Sequence, residues 1–251
     1  MTTTAASRLL ALSAGLLLLE SRAPATGVLA QAAAGKPAAA APSPGALLME
    51  GNARYVSGHA THPHQTAERR TEEASTQHPL AVVVSCSDSR VAPEIVFDQG
   101  IGDLFAVRTA GNRLDDLVLA SIEYAVDHLH CPLVVVLGHE RCGAVSAALD
   151  AETGGGGDPG HDAPTVASHI PALVKALHDA VAEAKGKPGD PVENAVLANI
   201  RIVTRDLPVQ SPLLAERVKA GKLQVIGLRY DLDTGAVTPV DAAPAEKPTS
   251  K

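Results

Sequence analysis

The sequence predicts an α/β domain in which helices flank a central, mainly parallel β-sheet. Two apolar runs, residues 80–84 and 133–137, have no polar interruption, the pattern of strands buried on both faces. Segments with helical periodicity separate these and other strand candidates, and strands alternating with helices give a parallel sheet. Aromatic residues make up 2% of the chain and Trp is absent, so the core rests on Val, Leu, Ile and Ala. That composition suits helices packed on a β-branched-rich sheet.

Taken in order, residues 45–56 form a first helix, with Leu47, Leu48, Ala53 and Tyr55 on one face and Gly51-Asn52 weakening its middle. Gly58 and the stretch 59–64, with Pro63, mark a loop, and a polar helix spans 66–76. Strand 80–84 ends in the polar residues 85–90. A second strand at 104–107 ends at Arg108. Asn112 or Asp115 then opens an amphipathic helix that reaches Leu129. Strand 133–137 ends in Gly138 to Cys142, and a helix covers 144–149. Glycines 154–157 with Pro159 and Gly160 form a loop. Helices follow at 166–185, 191–207 and 211–220. A last strand at 223–228 turns through Asp233-Thr234-Gly235 onto 236–240 as a hairpin.

Around this body (45–241) the chain divides simply. Arg8 precedes an apolar run at 9–19 that is too short for a membrane span, and small residues after it offer an A-x-A-like cleavage site near Ala30-Gln31-Ala32. Residues 1–32 therefore read as a signal peptide, 33–44 as an Ala/Pro linker and 242–251 as a polar tail. The expectation is a protein exported to the periplasm or secreted, with no stable membrane span after processing; a retained cytoplasmic leader is the alternative. The net charge of −7 argues against nucleic-acid binding, which needs concentrated Lys and Arg. Three cysteines, at 86, 131 and 142, do not make a disulfide framework. Cys131, just before Pro132 at a strand start, reads as core packing.

Two polar clusters carry the chemistry. Cys86-Ser87-Asp88-Ser89-Arg90 ends one buried strand and His139-Glu140-Arg141-Cys142-Gly143 ends another. In a parallel sheet, ligands gather beyond the carboxyl ends of the strands, so both clusters fall on one edge. Either cluster alone suits a buried Cys or a structural His. Together, two thiols and an imidazole from two loops match a tetrahedral zinc site with one position left for water or a carboxylate, Asp88 being the nearest.

These clusters resemble the signature pair of the β-carbonic anhydrases. The similarity extends from Gly51-Asn52-Ala53-Arg54-Tyr55 through Phe105-Ala106-Val107-Arg108-Thr109-Ala110-Gly111-Asn112 and Ser121-Ile122-Glu123-Tyr124-Ala125-Val126 to Tyr230-Asp231-Leu232. The resemblance implies Zn2+ held by Cys86, His139 and Cys142, with reversible hydration of carbon dioxide to bicarbonate and a proton as the activity. It implies that Asp88 and Arg90 pair, Arg90 holding Asp88 off the metal in an open site and Asp88 becoming the fourth ligand in a closed one. Gln77, nine positions before Cys86, matches a glutamine that hydrogen-bonds bicarbonate. Phe105, Ala110 and Tyr124 match positions lining the carbon dioxide pocket. By residue type alone these four are a turn amide and ordinary core residues. The resemblance also implies a homodimer or homotetramer, with Gln77 and Tyr124 near the dimer interface.

One departure stands out. Some family members carry a second, non-catalytic bicarbonate pocket that uses a Trp; here Val83 occupies the matching position, so that switch is expected to be absent or altered. Two other readings keep the zinc site, one as a carbonyl sulfide or carbon disulfide hydrolase and one as a non-catalytic zinc or bicarbonate-binding protein. A thiol redox role fits poorly, since position 139 is His and there is no C-x-x-C pair.

Overall fold

The structure, a computed structural model, describes residues 41–154 and 167–241. The expected signal peptide, most of the linker, the core of the glycine-rich loop and the C-terminal tail lie outside the described residues. Helices α1 (Pro44–Val56) and α2 (Ala67–Glu72) precede strand β1 (Ala81–Cys86), the short α3 (Pro93–Val96) and β2 (Leu104–Thr109). A 3-10 turn at Ala110–Asn112 leads to α4 (Asp116–Asp127), β3 (Leu133–His139) and α5 (Gly143–Thr153). Four further helices follow, α6 (Ile170–Ala176), α7 (His178–Ala184), α8 (Pro191–Gln210) and α9 (Pro212–Lys219). The hairpin β4 (Gln224–Tyr230) and β5 (Val237–Val240) closes the described chain.

The sheet has the order β2-β1-β3-β4-β5, parallel except for the antiparallel β4–β5 pair. Strand alternation splits the core between its two faces. Val82, Val84, Val134 and Val136 pack under Ile122, Val145, Val181 and Ile200 from α4, α5, α7 and α8. Val83, Leu133, Val135 and Leu137 face the other way, onto Leu48 of α1, Val96 of α3 and Phe97 just after it. Both β1 and β3 are buried along their whole length, as their unbroken apolar runs predict. The chain goes from β1 outward to β2 and then back across to β3. The crevice beyond the ends of β1 and β3 is therefore the topological switch point of the sheet.

The boundaries shift in ways that have physical causes. Both central strands run two residues past the apolar stretch, so Cys86 and His139 are the last strand residues and not members of the loops that follow. Of the two candidate starts of α4, Asp115 is the one, its carboxylate accepting the Val118 N–H as an N-cap. The helix predicted at 166–185 is two helices that meet at fully buried Leu177. α2 stops at Glu72, four residues early, because its short polar face buries nothing. α8 continues through Pro208 to Gln210, three residues past the predicted end, although the proline has no N–H to give the carbonyl four residues before it.

Gly51 and Asn52, which weaken α1 as a helix, are what lock it to the sheet. A Cβ on Gly51 would sit 1.8 Å from the Phe97 carbonyl oxygen, so only glycine permits this approach. Asn52 is buried; its amide donates to the Val96 and Gly235 carbonyls and its oxygen accepts from Val237 N–H. One side chain thus ties α1 to α3 and to the β4–β5 turn.

Candidate metal centre

Strand pairing brings the two clusters together. β1 and β3 are neighbours with Ser85 opposite Leu137, so Cys86 and His139 emerge side by side. Beyond His139 the chain turns through Arg141, whose left-handed backbone (φ 51°) is uncommon for a residue with a side chain. The turn returns Cys142 to the same crevice as the N-cap residue of α5. The two sulfurs and one ring nitrogen lie within 4.8 Å of one another, in residues that are 5%, 1% and 2% exposed.

The side-chain environment points His139 inward. Its Nδ1 lies 2.8 Å from the Glu140 carbonyl oxygen, which can only accept, so the proton sits on Nδ1. Nε2 is buried and has no hydrogen-bond partner. A neutral imidazole with that tautomer presents a bare lone pair, a costly group to bury unless a cation takes it. The sulfurs show the same need. The Cys86 thiol is drawn well below its ordinary value, first by a hydrogen bond from the Cys142 thiol, against burial, with help from His139 and the backbone of Asp88 and Gly111. The Cys142 thiol is pushed up by Cys86 and by burial. A divalent cation between them ends this competition by stabilising both thiolates. Two thiolates and an imidazole form a donor set that zinc accepts in tetrahedral geometry.

Asp88 borders the same space, its Oδ2 3.8 Å from His139 Nε2. Arg90 grips it through three bonds: Nε to Oδ1 at 2.9 Å, Nη2 to Oδ2 at 2.7 Å and backbone N to Oδ1 at 2.9 Å. This fork holds the carboxyl down to about 2, so Asp88 is an anion across the neutral range.

Two further contributors are given no role by the sequence, although Arg108 and Gly111 lie in a segment that carries the family resemblance. Arg108, from the end of β2, donates to the carbonyls of Cys86 (3.1 Å) and Asp88 (2.6 Å), clasping the loop that holds both. Gly111, at φ 66°, turns its N–H to the Cys86 sulfur at 3.4 Å, while buried Asn199 of α8 holds its carbonyl at 2.8 Å. Apart from that segment, an Arg ending a strand and an Asn on the apolar face of a helix are the only hints that the sequence offers.

The four residues expected to contact substrate are distributed differently. The Phe105 and Tyr124 rings meet with centroids 6.4 Å apart, and Ala110 is exposed beside Gly111. Gln77 is exposed and shares a groove of about 620 Å³ with Tyr124, His128 and His130. None of the three metal-capable residues lines that groove. Val83 is fully buried in the core on the α1 side of the sheet.

The family described as carbonic anhydrase matches residues 81–237 of this chain. Carbonic anhydrase 2 of Mycobacterium tuberculosis is 42% identical over 188 residues, 75% of this chain and 87% of that protein. A solved β-carbonic anhydrase from Coccomyxa superposes with a TM-score of 0.58 at 26% identity, covering 77% of this chain and 84% of its own. The chain belongs to the β-carbonic anhydrase family. The carbonic anhydrase of Mycolicibacterium smegmatis is a further relative, 40% identical over 190 residues, 76% of this chain and 88% of that protein. The matched region of this β-carbonic anhydrase contains the whole Cys86–His139–Cys142 group and the Asp88–Arg90 pair.

Proposed function

We propose that this carbonic anhydrase holds Zn2+ through Cys86 Sγ, His139 Nε2 and Cys142 Sγ and hydrates carbon dioxide reversibly to bicarbonate and a proton. The observation that supports this most is the orphaned, buried Nε2 of His139, facing two thiols and bordered by an ionised Asp88. Zinc, when bound, supplies a Lewis acid that lowers the pKa of a water from 15.7 to about 7. Asp88 accepts a hydrogen bond from the reacting water and so aims its free lone pair. Arg90 keeps that carboxylate in place and off the metal, the open arrangement, because both of its oxygens are bonded to the guanidinium. Arg108 and Gly111 hold the Cys86–Asp88 loop and the Cys86 sulfur steady. Phe105, Ala110 and Tyr124 form an apolar wall that favours an uncharged linear molecule, and Gln77 donates a hydrogen bond to the bicarbonate oxygen.

Because Gln77 and Tyr124 line a groove without the metal ligands, the complete site is proposed to form between two copies, each lending these residues to the other. Leu117 is 79% exposed seven residues before Tyr124 on α4, an apolar stripe suited to such an interface in a homodimer or homotetramer. Among the described residues no helix is long and apolar enough to cross a membrane. Export by residues 1–32 is proposed from the apolar run and its small-residue flank, and N-terminal sequencing of the native protein tests it.

Stopped-flow hydration of carbon dioxide by zinc-loaded enzyme, with carbonyl sulfide run in parallel, tests the activity. Rapid hydration with slow or no sulfide release is the expected result. Stoichiometric zinc with no hydration at any pH would overturn it.

A further inference from the structure

Glu140 stands between the His139 ligand and a network of charge with no part in the chemistry above. Every polar group it has is committed. Its N–H donates to the Tyr230 carbonyl at 3.2 Å. Its Oε1 accepts from Leu232 N–H at 2.7 Å and from Arg141 at 2.9 Å, and its Oε2 accepts from Arg229 Nη2 at 3.1 Å. The one remaining group, its carbonyl, faces His139 Nδ1.

Arg229 anchors this arrangement from β4. It sits opposite Gly138 in the β3–β4 ladder, and its three nitrogens reach three carboxylates: Glu140, Glu193 of α8 at 2.7 Å and Asp231 at 2.8 Å. Asp231 in turn folds the β4–β5 turn by accepting from Thr234 N–H and Oγ1. Glu140, Asp231 and Asp233 lie close enough together to suggest a cation site, but Arg229 and Arg141 already occupy that role. The cluster is a brace.

We propose that Glu140 and Arg229 are positioning residues for the metal centre: by clamping the Glu140 peptide, they fix its carbonyl on His139 Nδ1 and so fix Nε2 as the unprotonated, inward-facing donor. This rests on the zinc reading above. A peptide free to rotate would let the imidazole exchange tautomers and turn its protonated nitrogen toward the sulfurs. Outer partners of metal-ligating histidines commonly change metal affinity by about 10–100-fold.

The test compares metal-free wild type, Glu140→Ala, Glu140→Gln and Arg229→Met by chelator-competition titration with zinc and by ¹⁵N NMR of the histidine tautomers. Wild type is expected to bind one zinc with His139 as the Nδ1–H tautomer. Glu140→Ala is expected to bind about 10–100-fold more weakly with mixed tautomers. Glu140→Gln, which keeps an acceptor for Leu232 N–H, should recover to within about threefold. Should Glu140→Ala fail to fold, Arg229→Met carries the same expectation at about tenfold. A variant that loses thermal stability but keeps wild-type zinc affinity and tautomer would overturn the brace. Wild type that binds no zinc would instead overturn the metal reading on which it rests.

Discussion

At the scale of single residues, the centre turns on who owns each lone pair. His139 spends Nδ1 on a carbonyl and leaves Nε2 bare, Cys86 and Cys142 compete for one negative charge, and Asp88 has given both oxygens to Arg90. Asp88→Asn separates holding the metal from using it. The amide keeps one acceptor but loses the charge that binds Arg90, so zinc content should stay near that of wild type while kcat falls about 100-fold or more. Metal analysis beside stopped-flow kinetics checks this, and an unchanged kcat would remove Asp88 from the mechanism. Among the residues around the centre, the ligands and the Asp88–Arg90 pair were legible because they fall in two short clusters, 86–90 and 139–143, each ending a buried strand. Arg108, Asn199 and Glu140 were not, since each acts through backbone groups that only the fold brings near, Asn199 reaching a carbonyl 88 positions away.

At the scale of elements, the sheet does the assembling and the helices lock it. β1 and β3 were legible as uninterrupted apolar runs because parallel strands covered on both faces have no polar side. Their last two residues were harder to read, because Ser85-Cys86 and Gly138-His139 are buried for the site and not for the core. α3 has four residues, too few for a period to show, and the break at Leu177 comes from packing and not from a glycine or proline. α1 shows how local weakness is compensated by tertiary contact. Gly51→Ala would force a methyl group into the Phe97 carbonyl, which is backbone and cannot swing away. Its expected cost is about 2–3 kcal/mol, the upper part of the overpacking range, read as a lower urea midpoint with an unchanged slope. A midpoint equal to that of wild type would show that α1 is not held this closely.

At the scale of the whole molecule, a second buried carboxylate links pH to stability. The Asp98 side chain is fully buried, and burial alone would raise its pKa; bonds from Thr61 N–H and hydroxyl, Arg54 and His62 N–H outweigh that and hold it below the ordinary range. A depressed folded-state pKa gives stability that is fully present above the unfolded value of about 3.9 and is lost as pH falls below it toward the folded one. Asp98→Asn should therefore start about 2 kcal/mol less stable at neutral pH, and between about pH 5 and pH 2 its melting temperature should fall less steeply than that of wild type. Parallel slopes would contradict the assignment. The loop that Asp98 ties down, residues 59–64, carries three of the ten histidines; Asp98 takes backbone N–H groups there, while the His64 ring meets the Asp103 carboxylate at 2.7 Å.

The proposed enzyme turns on one metal ion held by Cys86, His139 and Cys142, and reconstitution tests that ion most directly. Enzyme stripped by a strong chelator is titrated with zinc while carbon dioxide hydration is followed by stopped flow. The rate should rise linearly from background and level off at one zinc per chain, and a Cys142→Ala enzyme should stay at background throughout. Full hydration by the stripped enzyme, or a Cys142→Ala enzyme that reloads and works like wild type, would contradict it.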